Sequence, residues 1–367
     1  MAPRIAELAS IISANTAKID DHLNANGFNE ISFDENAGDV LSGPGLAAAR
    51  QAVLEATDEL HALMLGPAGI LTTPSHNFLI SLQAIYKFGL ATSFPADREE
   101  ATFADIASDS GLPESYVRRI LRHAMTYRVF CEPMKGVVAH TAASRYLAEN
   151  TLIRQWIGMV SEEMWPAAVK TVEAMMVWPA SQEPNHSGFN IAHDTEDHVF
   201  TELSKHPERE SRYAAAMSWF ATGPGLEPSY VVESFPSVDS PDALIVDVGG
   251  SYGGISIALA QEYTSVTCVV QDKSDVVRIG RERLSHDLRN RVSFMEHDFF
   301  STQPTRGADV YLLRWILHDW SDKYAAQILR ALIPALKKSA RVVLYEMIVP
   351  DLGEVSLYQE RGIRQVY

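Results

Sequence analysis

The sequence predicts an α/β fold in which a Rossmann-like parallel sheet lies on the C-terminal side of a helical region that contains a winged helix. After residue 242, runs rich in Val, Ile and Leu alternate with helical patterns, as in parallel strands that are buried on both faces. A glycine-rich turn at 249–254 separates the first of these strands from its helix. Residues 77–150 combine a helix-turn-helix pattern with two short strands, which is typical of a winged helix.

The N-terminal third is predicted to be helical. Residues 4–25 and 45–66 place apolar side chains at helical spacing, whereas the stretch between them is rich in polar and turn-forming residues. Further along, TFADIASDSGLPESYVRRILRHAM reads as two helices around a glycine turn, with Pro113 at the start of the second. Two short strands with a turn at Lys135-Gly136 follow.

Charge decides between two uses of the winged helix. Its second helix carries several arginines, which would suit DNA. The chain, however, has 31 Lys and Arg against 47 Asp and Glu, a net charge of −16 that disfavours nucleic acid and anionic membranes. We therefore expect this module to pack, dimerise or line a pocket. The expected organisation is 1–150, then a helical segment 151–236, then the sheet domain 237–367.

The helical segment 151–236 is unusually rich in Met and Trp, including Met164, Trp165 and Met217. At helical spacing such residues either form a core or line an adaptable pocket for a flat aromatic molecule, and both readings stay open. The chain has only two cysteines, Cys131 and Cys268, so we expect neither disulfides nor a metal cluster. A cytoplasmic location without membrane spans is expected, because no signal sequence or long apolar window is present.

Polar residues end successive strands of the predicted sheet. Asp247 and the glycines Gly249 and Gly253 lie at the end of the first strand, Asp272 ends the second and Asp298 ends the third. An aspartate at the second position can accept hydrogen bonds from both ribose hydroxyls. Because the glycine spacing is not that of a dinucleotide motif and no P-loop lysine is present, the set suits an adenosine without a pyrophosphate. The alternative is that the aspartates only begin turns or cap helices.

Five stretches resemble the class I S-adenosylmethionine-dependent methyltransferases, and among them the O-methyltransferases of the plant caffeate type and their fungal secondary-metabolism relatives. They are VDVGGSYGG at 246–254, VVQD at 269–272, EHDFF at 296–300, LLRWILHDWSDKYAAQIL at 312–329 and RVVLYEMIVP at 341–350. The resemblance implies S-adenosylmethionine as the cofactor, a small-molecule substrate and a homodimer, with the winged helix serving dimerisation and substrate enclosure.

The same resemblance implies roles for individual residues. In the cofactor pocket, Asp247, Gly249 and Gly253 would shape the methionine and ribose site, Asp272 would bind the ribose, Asp298 the adenine amino group, Phe299 the adenine ring, and Arg314 would be the basic residue beside the cofactor. Catalysis would use His318 as the general base and Glu346 to hold its other nitrogen. Candidates for substrate contact are His123, Met164, Trp165, Met217 and Trp315.

The expected reaction is methyl transfer to a hydroxyl of a small aromatic or polyketide-like secondary metabolite. A phenol titrates near 10, so a neutral imidazole within hydrogen-bond reach can take its proton as the oxygen attacks. An accepting Glu346 would fix the tautomer of His318 and stabilise the imidazolium that forms. Alternatively, His318 is simply a residue near a helix N-terminus that Asp319 and Asp322 cap.

Two other functions remain open. Relatives of this fold can keep the sulfonium cofactor for dehydration or pericyclic reactions, and here His123 and Arg314 could donate hydrogen bonds to a carbonyl. A non-catalytic binding homologue is the third reading. The family normally continues beyond the fifth strand with a helix and two further strands, whereas this sequence stops at Tyr367, so we expect a sheet without those last strands.

Overall fold

The computed structural model describes residues 3–28, 31–35, 37, 41, 45–72, 77–94, 99–221, 223, 226–235 and 242–364. These residues form two compact units. The first contains the described residues among 1–174, 187–220 and 350–365, and the second those among 175–186 and 221–349. The predicted helical segment 151–236 contributes to both units, and the division of the chain into three segments stays a prediction.

The first unit is mainly helical. Its helices up to residue 220 are α1 (Arg4–Ala25), α2 (Ala47–Thr72), α3 (Asn77–Lys87), α4 (Phe103–Ser110), α5 (Glu114–Met125), α6 (Ala142–Glu149), α7 (Thr151–Met159), α8 (Trp165–Val177, whose last turn belongs to the second unit), α9 (Gly188–His193), α10 (Val199–Ser204) and α11 (Pro207–Phe220). A π-helical turn at Val160–Met164 separates α7 from α8. Helix α2 runs beyond the predicted limit and is kinked at Gly66, where φ is 64° and Pro67 follows.

The winged helix is confirmed. Strands β1 (Glu100–Thr102), β2 (Cys131–Met134) and β3 (Val137–Ala139) form an antiparallel sheet in the order β1-β3-β2. Thr102 caps α4 through a reciprocal capping box with Asp105, and α4 ends at Gly111 in the left-handed conformation. Strand β1 is not predicted, because three residues are too few to show a pattern. The faces of α4 and α5 meet in one core around Phe103, Ile106 and Leu121.

The second unit contains the predicted parallel sheet. Its strands are β4 (Ala243–Val248), β5 (Val266–Asp272), β6 (Val292–Glu296), β7 (Val310–Arg314) and β8 (Arg341–Tyr345), in the order β6-β5-β4-β7-β8. Its helices are α12 (Pro228–Ser234), α13 (Gly254–Glu262), α14 (Ser274–Arg283) and α15 (Asp322–Leu332), with 3₁₀ turns at His286–Leu288, Leu317–Asp319 and Ile333–Ala335. All neighbouring strands are parallel, so every strand points its carboxyl end to the same edge.

After β8 the chain returns to the first unit. Helix α16 (Leu357–Arg364) packs against α2, and the Arg361 guanidinium donates to both carboxylate oxygens of Asp58, at 2.9 and 3.1 Å. The apolar run ARVVLYEMIVP at 340–350 predicts one strand, but β8 is shorter and ends at Tyr345. Among the described residues, no helix has the length and apolar character needed to cross a membrane. The same residues contain no cluster of three or more side chains that could hold a metal ion.

Candidate active site

The carboxyl edge of the sheet collects the residues that the sequence singled out. Asp247 is the second-last residue of β4, Asp272 ends β5, Asp298 follows β6 by two residues, Arg314 ends β7 and Glu346 directly follows β8. In open parallel sheets, ligands bind at this edge where the strand order reverses, which here is between β4 and β7. The predicted cofactor residues and the predicted catalytic pair therefore share one edge.

The loop after β4 requires glycine. Gly249 and Gly253 have φ of 72° and 78°, which side-chain-bearing residues rarely adopt. The N–H groups of Gly249 and Gly250 both donate to the Gln271 carbonyl oxygen, at 2.8 and 3.1 Å, so the loop folds back onto β5. A Cβ on Gly249 would come within 2.4 Å of Ile316 Cδ1, in the loop that follows β7. The absence of a side chain thus lets the two loops meet.

Asp247 lies beneath this loop. Its side chain is buried, with 2% of the residue exposed, and Ser256 Oγ donates to its Oδ2 at 2.7 Å. The pKa of Asp247 is raised to about 6. Burial is the main cause, the charge of Asp272 adds to it, and the hydrogen bond from Ser256 partly offsets it. A Cβ on Gly250 would lie 2.5 Å from the Asp247 carboxyl carbon. Asp247 therefore supports the loop from below.

Asp272 ties the loop to the end of β5. Its Oδ2 accepts from the Ser251 N–H and its Oδ1 from the Lys273 N–H, both at 2.8 Å. Burial raises the pKa of Asp272, while these two amides and the Lys273 charge lower it. Because each carboxylate oxygen has two lone pairs, both oxygens keep capacity for a hydroxyl donor.

Asp298 and Phe299 begin the turn after β6. Asp298 is exposed, and its Oδ1 accepts from the Phe300 N–H at 3.0 Å, so the turn-forming role considered from sequence is present. Phe299 lies edge-on to Phe300, with ring centroids 5.0 Å apart. A Cβ on Gly249 would come within 3.9 Å of the Phe299 ring, so this ring borders the glycine loop.

The Arg314 side chain is partly buried between an aromatic ring and a backbone carbonyl. Its guanidinium carbon lies 3.7 Å from the centre of the Trp315 ring, and its Nη2 donates to the Leu226 carbonyl oxygen at 2.8 Å. Within the described residues, its buried Nε has no hydrogen-bond partner. Burial lowers the pKa of Arg314, and the charges of Tyr345 and Asp247 partly offset this. Trp315 has φ of 55°, and this left-handed residue turns the chain out of β7.

Glu346 joins the loop after β7 to the end of β8. One carboxylate oxygen, Oε1, accepts from the backbone N–H groups of Ile316 and Leu317 at 2.9 and 2.8 Å. The other, Oε2, lies 2.6 Å from His318 Nδ1. Burial raises the pKa of Glu346, but the His318 and backbone hydrogen bonds outweigh it and lower the pKa overall. The carboxylate therefore fixes both the backbone and the imidazole of this loop.

His318 is half-buried in the 3₁₀ turn. Burial lowers its pKa, but the Glu346 hydrogen bond and the charges of Asp319 and Glu346 raise it to a net value above the ordinary 6.5. Asp319 Oδ1 lies 3.5 Å from His318 Nε2. The pKa of Asp319 is raised to about 6, mainly because the carboxyl is partly buried, and the charge of His318 partly offsets this. The sequence predicts Asp319 only as a possible helix cap, although its position next to His318 in the motif is a signal for this contact.

The five candidates for substrate contact are divided between the two units. His123 Nδ1 lies 2.7 Å from Ser81 Oγ. Met164 ends the π-helical turn and is 53% exposed. His123, Met164, Trp165 and Met217 belong to the first unit and Trp315 to the second, so their shared role stays a prediction.

The residues at the sheet edge fit S-adenosylmethionine. The acidic groups Asp247 and Asp272 suit a ligand that carries an ammonium and a sulfonium. The glycine loop allows close approach to the backbone. The Nε of Arg314, which has no partner in the described part of the chain, is a donor suited to a carboxylate.

Comparisons with known proteins agree with this geometry. A family model described as an O-methyltransferase domain matches residues 182–361, and one described as an O-methyltransferase dimerisation domain matches residues 75–150. The grayanic acid biosynthesis cluster O-methyltransferase of Cladonia grayi is 38% identical over 99% of this chain and 77% of its own. O-methyltransferase AMT9 of Alternaria alternata is 38% identical over 98% and 85%. The chlorophenol O-methyltransferase of Trichoderma longibrachiatum is 34% identical over 99% and 80%.

Solved structures share the fold. LepI in complex with SAM superposes with a TM-score of 0.72 and 21% identity, covering 96% of this chain and 87% of that one. OxaC superposes with a TM-score of 0.76 and 18% identity, covering 98% and 87%. A structure described as a pericyclic reaction enzyme gives 0.71 and 21%, covering 95% and 87%. The predicted fold class, a Rossmann-like methyltransferase sheet with an N-terminal helical and winged-helix dimerisation domain, is thus confirmed.

Proposed function

The chain belongs to the family of S-adenosylmethionine-dependent O-methyltransferases of fungal secondary metabolism, and from this premise we propose that it methylates a hydroxyl group of a small aromatic or polyketide-like metabolite. His318 is the general base of this reaction and Glu346 positions it. The name of the chlorophenol relative supports a phenolic substrate.

The proposal rests on the contact between His318 and Glu346. With Oε2 of Glu346 at 2.6 Å from Nδ1, the carboxylate accepts the Nδ1 proton and leaves Nε2 as the basic nitrogen. Because Oε1 also holds two backbone amides of the same loop, the imidazole and its backbone are fixed by one side chain.

Proton transfer is the task of the protein side chains. When bound, S-adenosylmethionine supplies an electrophilic methyl group on a positively charged sulfur. His318 Nε2 takes the hydroxyl proton of the substrate, and the resulting imidazolium is stabilised by Glu346 at Nδ1 and by the nearby Asp319 carboxylate. General-base catalysis of this kind contributes about 10² to 10⁴ in rate. Since the base must be neutral, the acid limb of the rate profile lies above the ordinary histidine pKa of 6.5.

We assign the cofactor residues by the same reasoning. Asp272, with lone pairs left on both oxygens, binds the ribose hydroxyls, and Asp298 and Phe299 bind the adenine. The glycine loop with Asp247 beneath it shapes the methionine and ribose site, and Arg314 provides a positive charge beside the cofactor. Their chemistry and their shared edge support these roles.

Two features of the whole chain are proposed as well. The match of residues 75–150 to a dimerisation domain supports a homodimer. The free thiols of Cys131 and Cys268 support a reducing, cytoplasmic location.

The decisive test is the variant His318→Ala, compared with wild type in S-adenosylhomocysteine titration and in methyl transfer to a panel of phenols. We expect cofactor affinity to stay unchanged and turnover to fall by about 10² to 10⁴. The matched control is His286→Ala, an exposed histidine of the same unit, which should keep full turnover. Turnover by His318→Ala close to that of wild type would reject His318 as the base.

A second candidate function is favoured by Arg314. Its buried Nε, which has no hydrogen-bond partner among the residues that the structure describes, could donate to a carbonyl oxygen and promote dehydration or a pericyclic reaction, with the cofactor retained and its methyl unused. Substrate consumption without formation of S-adenosylhomocysteine would support this function over methyl transfer. Binding of S-adenosylhomocysteine without any turnover would instead support a non-catalytic binding homologue.

A further inference from the structure

Helix α15 directly follows the motif that carries His318, yet its N-terminus is not capped by its own side chain. Its N-cap residue is Ser321, whose hydroxyl makes no capping bond among the described residues and instead donates to the Gln182 carbonyl oxygen at 2.8 Å. The Lys323 N–H, one of the donors that an N-cap normally satisfies, donates to Gln182 Oε1 at 3.0 Å. The cap is therefore supplied by a residue 141 positions earlier.

The capping residue belongs to a defined segment, which we name the strap, residues 178–186. The Trp178 ring stacks on the His186 ring at 4.6 Å with an interplanar angle of 7°, and Ser181 Oγ lies 2.8 Å from His186 Nδ1. These contacts hold the strap in one shape. Next to Gln182, Glu183 accepts from Lys323 Nζ at 2.5 Å and from the Tyr324 hydroxyl at 2.6 Å.

Tyr324 contacts both the strap and the aromatic residues beside the proposed adenine site. Its ring packs on Phe300 and on Trp320, with centroids 5.9 and 6.0 Å apart. Trp320 lies edge-on to Phe300 at 4.6 Å and to Phe299 at 5.9 Å. We name Phe299, Phe300, Trp320 and Tyr324 the aromatic cluster. The strap thus fixes one end of this cluster, and Phe299 at the other end borders the glycine loop.

We propose that Gln182 and Glu183 are positioning residues for cofactor binding, because the strap caps α15 from a distance and so holds the aromatic cluster against the glycine loop. This inference rests on the proposed adenine role of Phe299. Exposed ion pairs alone contribute little, so the cap by Gln182 is expected to be the larger effect.

The test is calorimetric titration of S-adenosylhomocysteine into wild type and Gln182→Ala. Loss of a helix cap costs about 1 kcal/mol of helix stability, and if this loss is fully coupled to binding, affinity falls by about five-fold, which is the upper limit of the expected effect. The matched control is Gln327→Ala, an exposed glutamine in the middle of α15, which should bind as wild type does. Equal weakening by both variants would overturn the proposal.

A rescue variant separates capping from a general structural effect. In the double variant Gln182→Ala/Ser321→Asp, a strong local N-cap replaces the distant one, and affinity should return to near the wild-type value. Amide hydrogen exchange at 319–326, measured without ligand, should be faster in Gln182→Ala and slow again in the double variant. Unchanged exchange and affinity in Gln182→Ala would overturn the proposal while leaving the methyltransferase assignment intact. Failure of wild type to bind S-adenosylhomocysteine would overturn both.

Discussion

Asp247→Asn should change how the stability of the cofactor-free protein depends on pH. Burial raises the pKa of Asp247 to about 6 from the ordinary 3.8, so the folded state binds a proton more tightly than the unfolded state does. A group of this kind makes folding less favourable as pH rises from the unfolded pKa through the folded one. Asparagine cannot ionise, so the variant lacks this contribution while keeping an oxygen that can accept from Ser256.

The size of the effect follows from the shift. At about 1.36 kcal/mol per unit, a shift from 3.8 to about 6 corresponds to roughly 3 kcal/mol in total, of which about 2 kcal/mol falls between pH 4.5 and pH 7. The free energies of unfolding of the two proteins also differ by a constant amount that depends on local packing. The informative quantity is therefore how the difference between their free energies of unfolding changes with pH.

The assay is urea unfolding of both proteins at several pH values, without cofactor. The free energy of unfolding of Asp247→Asn, relative to wild type, should rise by about 2 kcal/mol from pH 4.5 to pH 7. Asp309→Asn is the control. Burial raises the pKa of Asp309, but Lys337 and the Leu244 amide lower it below 3.8 overall. The free energy of unfolding of Asp309→Asn, relative to wild type, should therefore stay nearly constant from pH 4.5 to pH 7. A flat difference for Asp247→Asn as well would refute the buried ionisation argued for the loop.

Two further predictions concern the same edge of the sheet. Glu346→Gln should lower the pKa of His318 and move the acid limb of the pH–rate profile to lower pH, with a smaller maximal rate; a limb that stays in place would contradict the assigned contact. Gly249→Ala should cost about 1–3 kcal/mol of stability and weaken S-adenosylhomocysteine binding, because φ is 72° and the new Cβ would meet Ile316. Gly362→Ala in α16, whose new Cβ would meet no described atom within 4 Å, should lower neither quantity in thermal unfolding and titration.

Most of the second unit could be predicted because its signals are local. Continuous apolar runs such as ALIVDV mark strands buried on both faces, and the parallel order places every strand end at one edge. The position of Asp272 follows from the end of its strand, whereas Glu346 lies inside the predicted last strand and its role is implied only by the family resemblance. The predicted last strand is longer than the observed one, because EMIVP is as apolar as the residues before it and does not mark the end of the strand. Glu346 instead turns to the amides of Ile316 and Leu317, a contact that residue types do not reveal.

The remaining features depend on contacts between distant residues. Nothing in the identity of Trp315 signals a left-handed backbone, since that conformation is imposed by the loop around it. The cap of α15 joins residues 141 positions apart, whereas the capping signals of a sequence lie within a few residues of the helix end. The winged helix could be predicted, by contrast, because its signals lie within consecutive residues.

The path of the chain sets an order for folding. Asp58 of α2 and Arg361 of α16 are 303 residues apart, and the whole parallel sheet is synthesised between them. Because domains begin to fold as they leave the ribosome, strands β4 to β7 can begin to assemble before α16 has emerged. Closing so long a segment also costs entropy that grows with its length. In a nascent chain, α2 therefore stays without its contact to α16 until all strands of the sheet have been synthesised.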